Sequence, residues 1–273
     1  MTSHPLLRAL TSSKPAFGSW ITLQNTFIAR TLALSSPHLS WVCIDCEHGL
    51  IPLQGGAAEI IAAIQGFGGD DILSTLVRIP ATGACANDGA TWQIKIALDA
   101  GAKGIVVPMV SNAAQARSIV SAARFPPVGT RGFGNPVTQQ SWGLSPTEYL
   151  KQANDSVLVL GQIETREGVE NIEDILKVDG LDGVFIGPYD LSLAHNETTP
   201  NPDPVPVMEE LIQKILQSAH NSGKKCAIYC TSGEQAARRA QEGFDMINVI
   251  GDLGAMIESL KRNFAIAAGD KSI

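Results

Sequence analysis

The residues of this sequence that can do chemistry gather just behind short apolar runs. Asp45, Glu47 and His48 follow one such run, Arg78 ends the next, Gln162 and Glu164 close a later one, and Asp190 follows another within Gly187-Pro188-Tyr189-Asp190. Acids, a base and a fixed cation delivered in this way suit proton transfer beside a developing oxyanion. Glu164 and Gln162 stand two apart, so on a strand they share a face while Ile163 points the other way. Two carboxylates from different segments, Glu164 and Asp190, with no histidine beside either, suit a hard cation such as Mg²⁺ or Mn²⁺ better than zinc. Structural ion pairs or helix caps are the alternative for the same two acids. Arg78 offers a planar donor fork to an enolate or carboxylate oxygen, or else a salt bridge at a rim. His48 is the natural general base, because histidine as a residue type suits proton transfer near working pH, although a lone histidine is more often simply packed. Backbone amides around Gly187 and Tyr189 could bind an anionic group where the chain turns.

Those residues need a scaffold that brings several segment ends together. Short runs rich in Val, Ile and Leu alternate with longer stretches of helical spacing, the signature of parallel strand–helix–strand units. Strands are predicted over residues 17–23, 41–46, 73–79, 104–110, 157–164, 183–187, 225–229 and 245–250. Helices are predicted over 26–35, 54–65, 89–100, 113–123, 168–176, 205–222 and 234–241, with a last one from Leu253. Gly101, Gly180, Gly223 and Gly243 stand where a helix would end in the left-handed conformation. Eight such units predict an α/β fold of the TIM (β/α)8 type, a closed barrel in one domain over 1–273. A doubly wound sheet would want a glycine-rich turn after its first strand, and Thr22-Leu23-Gln24-Asn25 stands there instead. In such barrels chemistry sits at the carboxyl ends of the strands, where the residues above fall. Two connections are long, 125–155 and 195–204; the first, with the C-terminal helix, is expected to serve oligomer packing, and the second to be a specificity loop.

The bulk numbers suit one globular domain with a large core. The chain has 273 residues, 44% hydrophobic and 17% charged, enough apolar material for the core of a barrel of roughly 250 residues. A formal charge of −7 argues against a nucleic-acid partner. The pairs Lys224/Lys225 and Arg238/Arg239 read as solvated faces. No stretch approaches the roughly 20 apolar residues of a membrane helix, and the first residues lack an apolar run of signal-peptide length. Five cysteines, an odd number, suit a reducing compartment, so a cytoplasmic location is expected. Cys43 and Cys46, three apart on a strand, point to opposite faces and do not chelate together. No lysine is placed near a strand's carboxyl end to form a Schiff base, so carbonyl chemistry at this rim would take a metal-dependent route.

Taken in order, Asp45-Cys46-Glu47-His48-Gly49, Val77-Arg78-Ile79-Pro80, Leu98-Asp99-Ala100-Gly101-Ala102, Val107-Pro108-Met109-Val110, Gln162-Ile163-Glu164 and Gly187-Pro188-Tyr189-Asp190-Leu191-Ser192 resemble the HpcH/HpaI aldolase family across nearly the whole chain. The resemblance implies a class II aldolase that cleaves a 4-hydroxy-2-oxo acid reversibly to pyruvate and an aldehyde through a metal-bound enolate. A decarboxylating branch similar to macrophomate synthase, and citramalyl-type lyases, use the same enolate. Glu164 and Asp190 would ligate Mg²⁺ or Mn²⁺, with Co²⁺ a further option, and no organic cofactor is expected. By the same resemblance Arg78 stabilises enolate charge, His48 moves protons, Asp99 is the acid partner of that histidine, Glu47 supports from behind, and Gln162, Gly187, Pro188 and Tyr189 line the pyruvate pocket. Members of the family are commonly hexamers, so a homo-oligomer is expected.

Overall fold

The computed structural model describes residues 4–12, 14–66, 73–80 and 89–270. Its strands are β1 (Ala16–Ile21), β2 (Leu39–Asp45), β3 (Ser74–Arg78), β4 (Gly104–Val107), β5 (Leu158–Ile163), β6 (Gly183–Ile186), β7 (Lys225–Tyr229) and β8 (Met246–Gly251). They pair in parallel and in sequence order, and β8 returns to β1 to close the barrel. The predicted (β/α)8 architecture is the one observed. All strands point the same way, so every strand's last residue reaches one rim.

Alternation along each strand sorts side chains into two cores. Trp41, Cys43, Leu76, Val106, Leu160, Phe185, Ala227 and Met246 fill the barrel, whereas Val42, Ile44, Val77, Ile105 and Val159 pack outward beneath the helices. Cys43 and Cys46 fall in different cores, as the period of two requires. Trp41 is the largest plug, and its indole N–H donates to the Ala16 carbonyl at 2.9 Å. The four glycines expected to end helices all adopt positive φ, from 68° at Gly223 to 101° at Gly243.

The barrel floor is sealed by a helix that the apolar pattern does not announce, Pro5–Thr11. Leu6 and Leu10 enter the inner core beside Ala16 and Met246. Its cap, His4, lies against the Ser74 hydroxyl at 2.7 Å and the Ser156 carbonyl at 3.0 Å. Burial drives the His4 pKa down to about 4, so the ring is neutral. Nε2–H then donates to the carbonyl and Nδ1 accepts from the hydroxyl.

Elsewhere the helices depart from expectation in detail. The stretch expected as one helix over 168–176 is two, Arg166–Glu170 and Ile172–Leu176, parted at Asn171, whose side-chain amide donates to the Ser111 carbonyl at 3.0 Å. Segment 125–155 folds onto its own barrel. Phe125, Trp142 and Tyr149 are buried in the outer core, and Arg131 lies over the Phe125 ring while donating to the Tyr149 hydroxyl at 3.0 Å. Arg239 is not on a solvated face: it is buried and ion-paired with Glu209 at 2.6 Å and Glu242 at 2.8 Å. The last helix, Asp252–Ala268, buries only its first residue and leaves Leu253, Met256, Ile257, Leu260 and Phe264 exposed.

The tight centre of the barrel has a measurable consequence. A Cβ on Gly18 would stand 2.1 Å from the Trp41 indole, and the ring is fully buried with nowhere to shift. Gly18→Ala should lower stability by about 2–3 kcal/mol in urea denaturation, the cost of overpacking a rigid core; unchanged stability would mean that Trp41 can move.

Candidate active site

The rim formed by the strand ends surrounds a cavity of about 480 Å³ whose lining includes Asp45, His48, Arg78, Gln162, Glu164, Gly187, Pro188, Tyr189 and Asp190. That volume suits a small-molecule site. Glu47 lies just behind it, with one oxygen 3.1 Å from Arg78 Nη1. Eight of the sequence-predicted site residues therefore share one cavity with Asp45, and a ninth, Glu47, supports it. Helix Pro188–Ala194, directly after β6, carries Tyr189 and Asp190 in its first turn.

One wall is a charge cluster made by strand register. Asp45 and Arg78 are partners across β2 and β3, so their side chains leave the sheet side by side. Arg78 Nε donates to Asp45 Oδ1 at 2.9 Å and Nη2 to Oδ2 at 2.8 Å. Burial alone would raise the Asp45 pKa, but the Arg78 hydrogen bonds and charge, with the amides of Glu47 and His48, hold it below the ordinary carboxylate range. Burial likewise works against the Arg78 cation and is outweighed by Asp45 and Glu47, so its pKa rises further. Counting the Glu47 contact, three of the five guanidinium N–H groups are engaged among the described residues, and Arg78 also lines the cavity. The guanidinium lies 5.3 Å from the Trp20 ring centroid. His48 stands at the exposed rim, with Nε2 3.7 Å from Glu47 Oε2.

The opposite wall carries a buried carboxylate with little to neutralise it. Glu164 Oε1 accepts from the Met109 amide at 2.8 Å, and Oε2 accepts from the Gln162 side-chain amide. Burial pushes the Glu164 pKa up to about 7 against those two hydrogen bonds, and the charges of Asp190 and Glu47 push the same way. Gln162 Oε1 is buried with no hydrogen-bond partner. Gly187 keeps the floor bare, since a Cβ there would lie 2.4 Å from Glu164 Oε2. Two acids, an unpartnered amide oxygen and backbone without a side chain form an oxygen-rich recess that a hard cation would satisfy. Among the described residues no group of three His, Cys, Asp or Glu forms a metal cluster, so protein ligands beyond Glu164 and Asp190 are not in view. Residues 81–88, after β3, lie outside the described residues.

Asp99 does not join the site within one chain. It ends helix Thr91–Asp99, which returns from the rim, so it lies at the strand-start end. There it pairs with Lys95 and, at 3.4 Å, with Arg131. Asp45 is the carboxylate that this chain sets beside His48: Oδ1 accepts from the Glu47 and His48 amides at 3.1 and 3.3 Å. Its position next to Glu47 and His48 at a strand end is the signal that could have singled it out. Sequence reasoning also passed over Trp20, Thr22, Tyr229, Asp252, Leu253 and Ile257, which line the cavity from the end of β1, from β7 and from the start of the last helix. Tyr229 and Asp252 stand at strand ends like the rest, but their neighbours read as ordinary core. The connection 195–204 does not line the cavity; Pro200, Pro202 and Pro204 back Tyr189 and Tyr229 from a separate crevice.

The sequence profile described as HpcH/HpaI aldolase/citrate lyase matches residues 16–259. The chain belongs to this family. It is accordingly a carbon–carbon lyase. The chain is 36% identical over 249 residues to a hydroxypyruvate/pyruvate aldolase from Rhizorhabdus wittichii, spanning 91% of this chain and 92% of that one. It is 37% identical over 237 residues to a 4-hydroxy-2-oxo-heptane-1,7-dioate aldolase from Klebsiella pneumoniae, spanning 86% and 82%. An HpcH/HpaI aldolase/citrate lyase family protein from Burkholderia cenocepacia superposes with a TM-score of 0.84 at 26% identity, over 96% of this chain and 98% of that one. Among the described residues no helix is long and apolar enough to cross a membrane.

The buried acid sets a pH dependence. A carboxyl whose pKa is about 7 when folded and near 4.5 when unfolded holds its proton better in the native state. Its neutral form is therefore matched to the fold at low pH, and stability falls as pH rises from about 4.5 to 7. In metal-free enzyme, Glu164→Gln should be more stable than wild type at pH 8, by up to about 3 kcal/mol, and equal to it near pH 4. Thermal melts at the two pH values in chelator check this; a pH-independent difference would mean that Glu164 is already neutralised by the protein.

Proposed function

We propose that the enzyme is a divalent-metal-dependent class II aldolase that cleaves a 4-hydroxy-2-oxo acid reversibly to pyruvate and an aldehyde. The observation that carries this reading is the oxygen-rich recess of Glu164, Asp190 and Gln162 facing the Arg78 guanidinium across one cavity. Mg²⁺ or Mn²⁺ held by Glu164 and Asp190 would supply Lewis-acid polarisation of the 2-oxo group. The similarity to aldolases over most of the chain supports the same reading.

The residues of the chain divide the remaining work. The Arg78 guanidinium faces the oxygen on which negative charge grows as the bond between C3 and C4 breaks, and it is held there by Asp45 and Glu47 before substrate arrives. Exposed at the mouth, His48 takes the proton of the 4-hydroxyl at a ring nitrogen, and Glu47 beside Nε2 steadies the cation so formed. The electron pair of the broken bond becomes the enolate, which a proton at C3 converts to pyruvate. Gly187 and Pro188 leave room at the floor for the small 2-oxo acid, with Gln162 beside it. Addition runs through the same positions in reverse.

The enolate half-reaction can be followed without an aldehyde. Exchange of the pyruvate methyl protons with D2O, read by NMR, should require Mg²⁺ or Mn²⁺ and stop in chelator. Arg78→Lys keeps the charge but loses the fork, and should slow exchange about 100-fold. The lysine variant is more informative than Arg78→Ala, which would strand the buried Asp45 charge and cost about 3–5 kcal/mol of stability. Metal-independent exchange would sink the reading.

We further propose that the enzyme is a homo-oligomer joined through its last helix. Leu253, Met256, Ile257, Leu260 and Phe264 fall on one face of Asp252–Ala268 and are 41–71% exposed, an apolar stripe that a second copy of the chain would cover. Leu260→Glu combined with Phe264→Glu should lower the mass measured by light scattering on a sizing column, whereas a wild-type monomer would exclude the assembly.

A further inference from the structure

Just past β4 the chain holds an uncommon backbone conformation. Met109 has a φ of 59°, in the left-handed region that residues other than glycine rarely enter. Its neighbours leave it little choice. Pro108 fixes the backbone before it, and the Val110 amide after it donates to the Gln162 carbonyl at 3.0 Å. The Thr165 hydroxyl accepts from the Gly168 amide at 2.9 Å and lies 2.8 Å from the Ser111 hydroxyl, which donates to the Met109 carbonyl at 3.2 Å. Helix Arg166–Glu170 packs tightly on the same loop, since a Cβ on Gly168 would stand 2.7 Å from the Val110 carbonyl oxygen. Backbone strain persists only where the surroundings over-determine it, and here the end of β5 and the helix after it do so.

The strained peptide directs one group at the site. Its N–H donates to Glu164 Oε1 at 2.8 Å. Glu164 stands one residue past β5 and is buried, so the strand ladder alone does not set its carboxylate. The Gln162 side-chain amide donates to Oε2. A side-chain amide can rotate about its own bonds, whereas a peptide amide locked by its neighbours cannot. Each carboxylate oxygen has two lone-pair sites, so one donor apiece leaves a place for a cation. The Met109 side chain is not among the described residues that line the cavity.

From this we propose that Met109 is a positioning residue, whose left-handed backbone clamps Glu164 Oε1 in the orientation in which the carboxylate takes up the divalent cation. The inference rests on the proposed metal at Glu164 and Asp190, and it gives a task to a backbone group outside the cavity. Groups that orient a metal ligand are worth about 10- to 100-fold in affinity.

The test separates backbone from side chain and reads Mn²⁺ affinity from the EPR signal of the free ion. Met109→Gly removes the side chain and favours the same φ, so it should bind Mn²⁺ within about twofold of wild type. Met109→Val, β-branched and disfavoured in that region, should bind at least about tenfold more weakly. Placing the α-hydroxy analogue of methionine at position 109 exchanges the N–H for an ester oxygen and keeps the side chain. This protein should show the same loss, of at least about tenfold, even where Met109→Val does not fold. Wild-type affinity in the ester protein, or in folded Met109→Val, would overturn the inference and leave the metal reading intact. A loss in Met109→Gly as large as in the ester protein would assign the effect to the side chain and overturn it as well. Should Glu164→Gln bind Mn²⁺ as wild type does, the ion lies elsewhere and both readings fall.

Discussion

A guanidinium locked between two carboxylates anchors the site, and it is a product of strand register. Asp45 and Arg78 can meet only because β2 and β3 run parallel with those residues as partners. A shift of one residue would send one of them to the outer core, leaving a charge buried among aliphatic side chains. The pair thus ties the register of the sheet to the electrostatics of the cavity. Glu47 adds a second acid to the cation, and the amides that follow Asp45 wrap back onto its carboxylate, so the turn bearing His48 is held by the same group that holds Arg78. Positive charge is in this way fixed on one side of the cavity while negative charge accumulates on the other.

The imbalance on the Glu164 side has a clear origin. Desolvation disfavours the ionised acid, Asp190 adds repulsion, and one amide oxygen faces the same space without a donor. Such a combination is unfavourable for folding in isolation and is sensible as a place for a cation. Stability is reduced where the chemistry is concentrated, while the barrel beneath is filled largely by apolar side chains around Trp41 and Phe185.

Much of this was legible before any coordinates. Eight short apolar runs alternating with stretches of helical spacing specified eight strands, because a parallel sheet buried on both faces leaves little else that such runs can be. Knowing that strand ends share a rim was enough to gather Arg78, Gln162, Glu164 and Asp190. What stayed hidden depends on tertiary placement. Helix Pro5–Thr11 is too short to announce itself by periodicity and is held by His4 and two leucines entering the barrel floor. The pairing of Asp45 with Arg78 needs a register that composition does not carry. Asp99 was assigned from resemblance, and within one chain its helix end lies at the wrong end of the barrel. Leu253 and Ile257 look like core residues in a sequence; only the course of the last helix places them at the cavity.

The sealed floor constrains traffic. With Leu6, Leu10 and Trp41 packed in the tube below, the cavity opens at the rim where the strands end. Under the proposed chemistry both fragments of a cleavage depart over the same rim by which the substrate came in.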